Sequence, residues 1–152
     1  MGVTSIKKII NQTEFHVAFR KLQDSSDAGF ISPGSYIDNE VWIPWCDDSS
    51  QFSSNVLILE INEDIKFYIW QKGDTVFYCK TTPFSTGQPY NGILKYPIKP
   101  IPNSPADPNI FSYGQPIPGI AHVDGNRALK IYSYPNQNLV LKNYFDIYLQ
   151  AF

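Results

Sequence analysis

The sequence predicts an all-β protein: an antiparallel β-sandwich, or a flattened barrel, of about 8–10 short strands with one long proline-rich excursion. Three observations lead there. Apolar residues recur with period two along most of the chain, and no segment carries a capped helical stripe. Turn dipeptides and polar turn clusters punctuate the chain about every 8–12 residues. No internal repeat is present, which argues against a propeller or a β-trefoil. At 152 residues the chain reads as one domain, residues 1–152, long enough to bury a sizeable core.

The elements can be justified in order. The first ten residues come nearest to a helix but lack a convincing apolar stripe. Phe15, Val17 and Phe19 alternate with His16, Ala18 and Arg20, as in a half-buried strand, and "DSSDAG" reads as the turn behind it. Pro33–Gly34 is a turn signal, because proline presets one central residue and glycine supplies positive φ at the next. Tyr36 to Ile43 reads as a strand stopped by Pro44, and "DDSSQFSS" as a polar loop. "VLILEI", residues 56–61, is a continuous apolar run and so a central strand buried on both faces. "NED" then turns the chain into a hairpin, "IKFYIWQKGDTVFYCK", which turns back at "KGD".

Residues 83–118 hold nine of the twelve prolines. Proline cannot donate to a strand ladder, so this stretch reads as an extended excursion packed over an end or edge of the sheets. A short strand at Gly92–Tyr96 is the only regular element it suggests. Asp124–Gly125 then reads as a tight hairpin turn. A further turn at Pro135–Asn138 leads into one or two closing strands.

Composition excludes several functions. Hydrophobic residues make up 43% of the chain and charged residues 17%, which excludes a disordered tail. A net charge of −2, a pI near 5.6 and the lack of any basic stripe exclude a nucleic-acid partner. No signal peptide and no membrane-length apolar run is visible, so the expected location is cytoplasmic, with the sequon at Asn11 irrelevant unless the chain is secreted. Cys46 and Cys79 are expected as two reduced, buried thiols rather than a disulfide framework. Catalysis finds little support. His16 and His122 are the only histidines, and there is no nucleophile elbow, phosphate loop, dinucleotide fingerprint or metal-ligand spacing. The expectation is a protein that is not an enzyme, with no cofactor and no metal.

The unusual quantity is aromatic content, 15%, with ten Tyr, ten Phe and three Trp. It supplies three candidate sites. In the hairpin, a three-residue "KGD" loop would set Trp70 opposite Val76, Tyr68 opposite Tyr78 and Ile69 opposite Phe77. One face would then be core: Ile65, Phe67, Ile69, Phe77 and Cys79. The other would be an aromatic stripe, Tyr68, Trp70 and Tyr78, bordered by Lys66 and Lys80. The proline-rich excursion is the first candidate to cover it, a partner subunit the second and a ligand the third. In "VWIPWCDD", Trp42 reads as a core residue, while Trp45 beside Asp47 and Asp48 suits half of a glycan site. In "GIAHVDGNR", Asp124, Asn126 and Arg127 place hydroxyl-binding groups around one turn.

In composition and layout the chain is similar to small lectins and lipid-binding cytolysins, a likeness that carries no motif and names no family. The expected function is carbohydrate binding by a homo-oligomer, with Trp45, Tyr68, Trp70, Tyr78, Asp124, Asn126 and Arg127 contacting a glycan or glycoconjugate. The alternatives are a membrane-targeting cytolysin, whose N-terminal "SIKKII" would engage lipid, and a self-assembling structural protein.

Overall fold

The computed structural model describes residues 2–22, 24–61, 65–81, 105–135 and 143–152. Among them the chain forms β1 (Thr4–Gln12), β2 (Val17–Lys21), β3 (Asp24–Ile31), β4 (Tyr36–Ile37), β5 (Val41–Trp42), a one-turn helix α1 (Ser49–Phe52) and β6 (Leu57–Ile61). The hairpin β7 (Ile65–Lys72) and β8 (Thr75–Thr81) follows. After residue 104 come a 3-10 helix (Pro108–Tyr113), β9 (Gln115–Pro116), β10 (Gly125–Pro135) and β11 (Asn143–Ala151).

These strands make two sheets. The first runs β11-β10-β1-β4, with β5 also on β1, and the second runs β3-β2-β6-β7-β8-β9. They pack face to face as a sandwich, and neither closes into a barrel among the described residues. The core between them joins Ile9, Leu129, Ile131, Phe145 and Ile147 of the first sheet to Phe19, Leu59, Phe67, Ile69 and Val76 of the second. Among the named strands pairing is antiparallel except that β1 runs parallel to β10. β1 is thus the middle of its sheet and not a helix. Asn11, fully buried on it, fixes the exit of the strand by donating to the carbonyl oxygens of Phe15 and Ile31 at 2.7 and 3.1 Å.

Several expected elements hold. "VLILEI" supplies β6, inside the second sheet, with Leu57, Leu59 and Ile61 at 0% exposure. Others change. "DSSDAG" is the start of β3 and not a turn, because β2 and β3 reverse earlier, with Lys21 already opposite Asp24. The expected strand from Tyr36 to Ile43 is broken into β4 and β5, which pair separately with β1. Asp124–Gly125 is a corner and not a hairpin turn. The chain before it lies along β8, with Thr75 bridged to His122, and the chain after it enters the other sheet. The left-handed backbone that marks a hairpin is present there (φ 85° and 118°) but serves a change of sheet. The turns at 62–64 and 136–138 and the strand at 92–96 lie outside the described residues.

The hairpin register also differs from expectation. Ile69 faces Tyr78, Trp70 faces Phe77 and Gln71 faces Val76, around a two-residue Gly73–Asp74 loop. Glycine first, with φ of 61°, is the preference of a tight hairpin turn that follows the twist of its strands. The shift by one residue exchanges the faces of β8. Val76 and Tyr78 join Ile65, Phe67 and Ile69 in the main core. Phe77 and Cys79 instead join Tyr68 and Trp70 on the far face.

That far face is a second core. Phe52 of α1 meets Trp70 edge-on at 4.9 Å, and Phe111 of the 3-10 helix lies 5.8 Å from it. Asp48 caps α1 by accepting from the Ser50 N–H at 2.9 Å, and Asp107 caps the 3-10 helix by accepting from the Asn109 N–H at 2.9 Å. The Ala106 N–H donates to the Ser53 carbonyl at 3.0 Å and ties the two covering pieces together. The described part of the proline-rich excursion therefore packs over the second sheet, where it covers Trp70.

Candidate functional site

The sequence-predicted residues do not converge. Tyr68, Trp70 and Tyr78 are 8%, 1% and 6% exposed, and the register separates Tyr78 from the other two by the thickness of the sheet. No surface stripe exists at the hairpin. Trp45 is half-buried, bridged to Gln71, and its carbonyl accepts from Asn55 Nδ2 at 3.1 Å. Asp124 and Asn126 are exposed. Arg127 is engaged locally: its guanidinium donates to the carbonyl oxygens of Asn126, His122 and Asp124 at 3.0, 3.3 and 3.2 Å, so it pins the corner. Trp42, expected in the core, is 53% exposed and donates from Nε1 to Glu40. "SIKKII" lies within β1, where Ile6 and Ile9 are at 0% exposure and closed to a bilayer in this fold, while Ile10 is partly buried on the outer side of the sheet.

Exposed aromatics gather elsewhere, on the outer face of the first sheet. Alternation on β10 sends Leu129 and Ile131 inward and Lys130, Tyr132 and Tyr134 outward. On β11 it sends Phe145, Ile147 and Leu149 inward and Asp146 and Tyr148 outward. Pairing then builds rows across the face. One row is Tyr36, Ile10, Lys130 and Tyr148, and the next is Gln12, Tyr132 and Asp146. Among the described residues no layer covers this face.

Its geometry is that of a tyrosine platform with cations set among the rings. The Tyr132 and Tyr134 ring centres are 6.0 Å apart. Lys130 Nζ lies 5.8 Å from the Tyr132 ring and 5.7 Å from the Tyr148 ring, and Lys8 Nζ lies 4.3 Å from Tyr36. Gln12, Lys130, Tyr132, Ser133 and Tyr148 line an open cavity of about 400 Å³. At its edge Asp146 meets Lys80 of the second sheet at 3.8 Å and hydrogen-bonds the Tyr78 side chain. Burial, then the Asp146 carboxylate, hold the Tyr132 phenol above its usual range, so it stays a neutral donor at physiological pH.

No protein-family model, curated protein or solved structure matches this chain. Chemistry must therefore come from the residues. The platform offers planar rings, hydroxyl and amide hydrogen-bonding groups, and a cation. Among the described residues no three His, Cys, Asp or Glu side chains are grouped to hold a metal ion. His122 Nδ1 makes a local contact of 2.8 Å with the Val123 carbonyl. No described helix is long and apolar enough to cross a membrane. The signal that could have found the platform was present in "KIYSY" and "FDIYLQ", where tyrosines alternate with Ile, Leu and Phe on the opposite parity.

Proposed function

We propose that the protein is a non-enzymatic carbohydrate-binding protein that receives its ligand on the outer face of the first sheet. One observation carries the reading: exposed tyrosine rings flank a cavity of about 400 Å³ lined by Gln12, Lys130, Tyr132, Ser133 and Tyr148. A sugar ring has an apolar C–H face and a rim of hydroxyl groups. Phenol rings suit the first, while the phenol hydroxyls, the Gln12 amide and the Lys130 ammonium suit the second. The cavity falls in the lower part of the range of about 300–1,000 Å³ usual for small-ligand sites, a size for one or two sugar units. Because the side chains stand on paired strands, their spacing is fixed before the ligand arrives. A single shallow site of this kind binds weakly, so a homo-oligomer presenting several copies is the expected working form.

The test is a glycan array followed by calorimetry on the Tyr148→Ala and Tyr36→Ala variants. Both rings are substantially exposed, 40% and 55%, so neither truncation should harm the fold. Loss of one stacking ring should weaken binding roughly tenfold, about 1.4 kcal/mol. A blank array at high protein concentration defeats the proposal. Pelleting with liposomes that lack glycolipid would support a lipid-binding face in its place.

A further inference from the structure

We infer that the glycan taken by this face is acidic, with its carboxylate or sulfate set against the Lys130 ammonium; this rests on the carbohydrate reading above. Lys130 stands in the middle of the sheet, on β10 between Ile10 of β1 and Tyr148 of β11. It is half-buried, and its ammonium is held between two phenol rings at 5.8 and 5.7 Å. No carboxylate of the described residues lies within ion-pair distance of it. Ring faces offset the lost hydration of an ammonium only in part. An anionic oxygen replaces more of that hydration, through charge-assisted hydrogen bonds about twice as strong as neutral ones.

The acid nearest in register does not fill this role. Asp146 faces Tyr132 across the β10–β11 pair, but its carboxylate is engaged by Lys80 at 3.8 Å, by the Tyr78 side chain and by the Ile147 N–H at 2.9 Å. Its charge is therefore balanced from the second sheet. Lys8 adds a second cation on the same face, over Tyr36. Its partner Asp38 is 3.7 Å away with a side chain 66% exposed, an arrangement worth little in water and readily exchanged for a ligand anion. The platform is thus locally cationic in a chain whose net charge is −2. Such a face selects by charge, since a neutral sugar accepts hydrogen bonds from Lys130 but brings no opposite charge to it.

The deciding measurement uses an array of uronate-, sialate- and sulfate-bearing glycans beside their uncharged counterparts, probed with the full chain and with Lys130→Gln and Lys130→Arg. Binding should be confined to the acidic members, fall by about tenfold or more in Lys130→Gln and return in Lys130→Arg. It should also weaken with added salt. Unchanged circular dichroism and melting temperature establish that each variant is folded, and the Arg variant separates charge from shape. Equal binding of charged and uncharged glycans, or acidic binding that Lys130→Gln leaves intact, overturns the inference while the carbohydrate reading survives. A blank array overturns both.

Discussion

At the scale of single residues, Gly73 and Gly119 show two different demands for glycine. Both have positive φ, 61° and 95°. A Cβ at Gly73 would meet nothing within 4 Å, whereas one at Gly119 would lie 2.2 Å from the Leu149 carbonyl oxygen. Gly73→Ala should therefore cost only the backbone penalty, about 1–2 kcal/mol. Gly119→Ala adds a clash with a backbone that cannot step aside and should cost about 2–5 kcal/mol in all. Denaturant midpoints of the two variants check the ranking, and equal losses would refute it. Tyr78 makes a second prediction. Burial first, then the Asp146 carboxylate, push its hydroxyl up to about 12 from the usual 10.0. The folded chain thus keeps a proton that the unfolded chain releases. The stability this provides is complete below about pH 10 and is lost as pH rises toward about 12. Tyr78→Phe should flatten the fall in stability across that window, followed by urea denaturation at each pH.

At the scale of elements, the β7–β8 hairpin shows what was legible and what was not. Strand identity and the turn region could be read from the alternation and from Gly73. The register could not, because choosing between loops by which one segregates a single core assumes that the other face meets water. Here both faces are buried, so Phe77 and Cys79 are as well placed beside Trp70 as they would be beside Phe67. The covering pieces, α1 and the 3-10 helix, are short, and a polar run such as "DDSSQFSS" gave no sign that its Phe52 would be fully buried. Phe111 offers a direct probe of this layer. It is half-buried over Trp70, so Phe111→Ala should cost roughly half of the ~3–5 kcal/mol of a fully buried phenylalanine. It should also shift the emission of Trp70 to the red and open it to acrylamide. An unchanged spectrum would mean that Phe111 does not shield the indole.

At the scale of the whole molecule, β1 holds the first sheet together. It pairs with β10, β4 and β5 and places Ile6 and Ile9 in the core. Burying those two side chains is worth about 1.5–3 kcal/mol each, a large share of the ~5–15 kcal/mol that holds a domain folded. A chain lacking residues 1–12 should lose its cooperative thermal transition, whereas a sandwich indifferent to β1 would keep it. The all-β class was legible from the two-residue period, but the parallel β1–β10 pair was not, since the partners are far apart in sequence and no local pattern records which strands meet. The tyrosine platform was hidden for a related reason. Tyr36, Tyr132 and Tyr148 become neighbours only through pairings that β1 and β10 make, while the aromatics adjacent in sequence at the hairpin were enclosed by the chain itself.

The parallel pair also carries a consequence for biosynthesis. Ile9 waits for Leu129, its register partner. At the usual elongation speed of 5–20 residues per second, the ribosome needs about 6–24 s to make the intervening chain. Throughout that interval the edge of β1 that takes β10 is unpaired, although β4 and β5 emerge early enough to occupy its other side. Cells making this protein should therefore show a nascent chain dependent on ribosome-associated chaperones, and a circular permutant that places β1 directly before β10 should be relieved of that dependence.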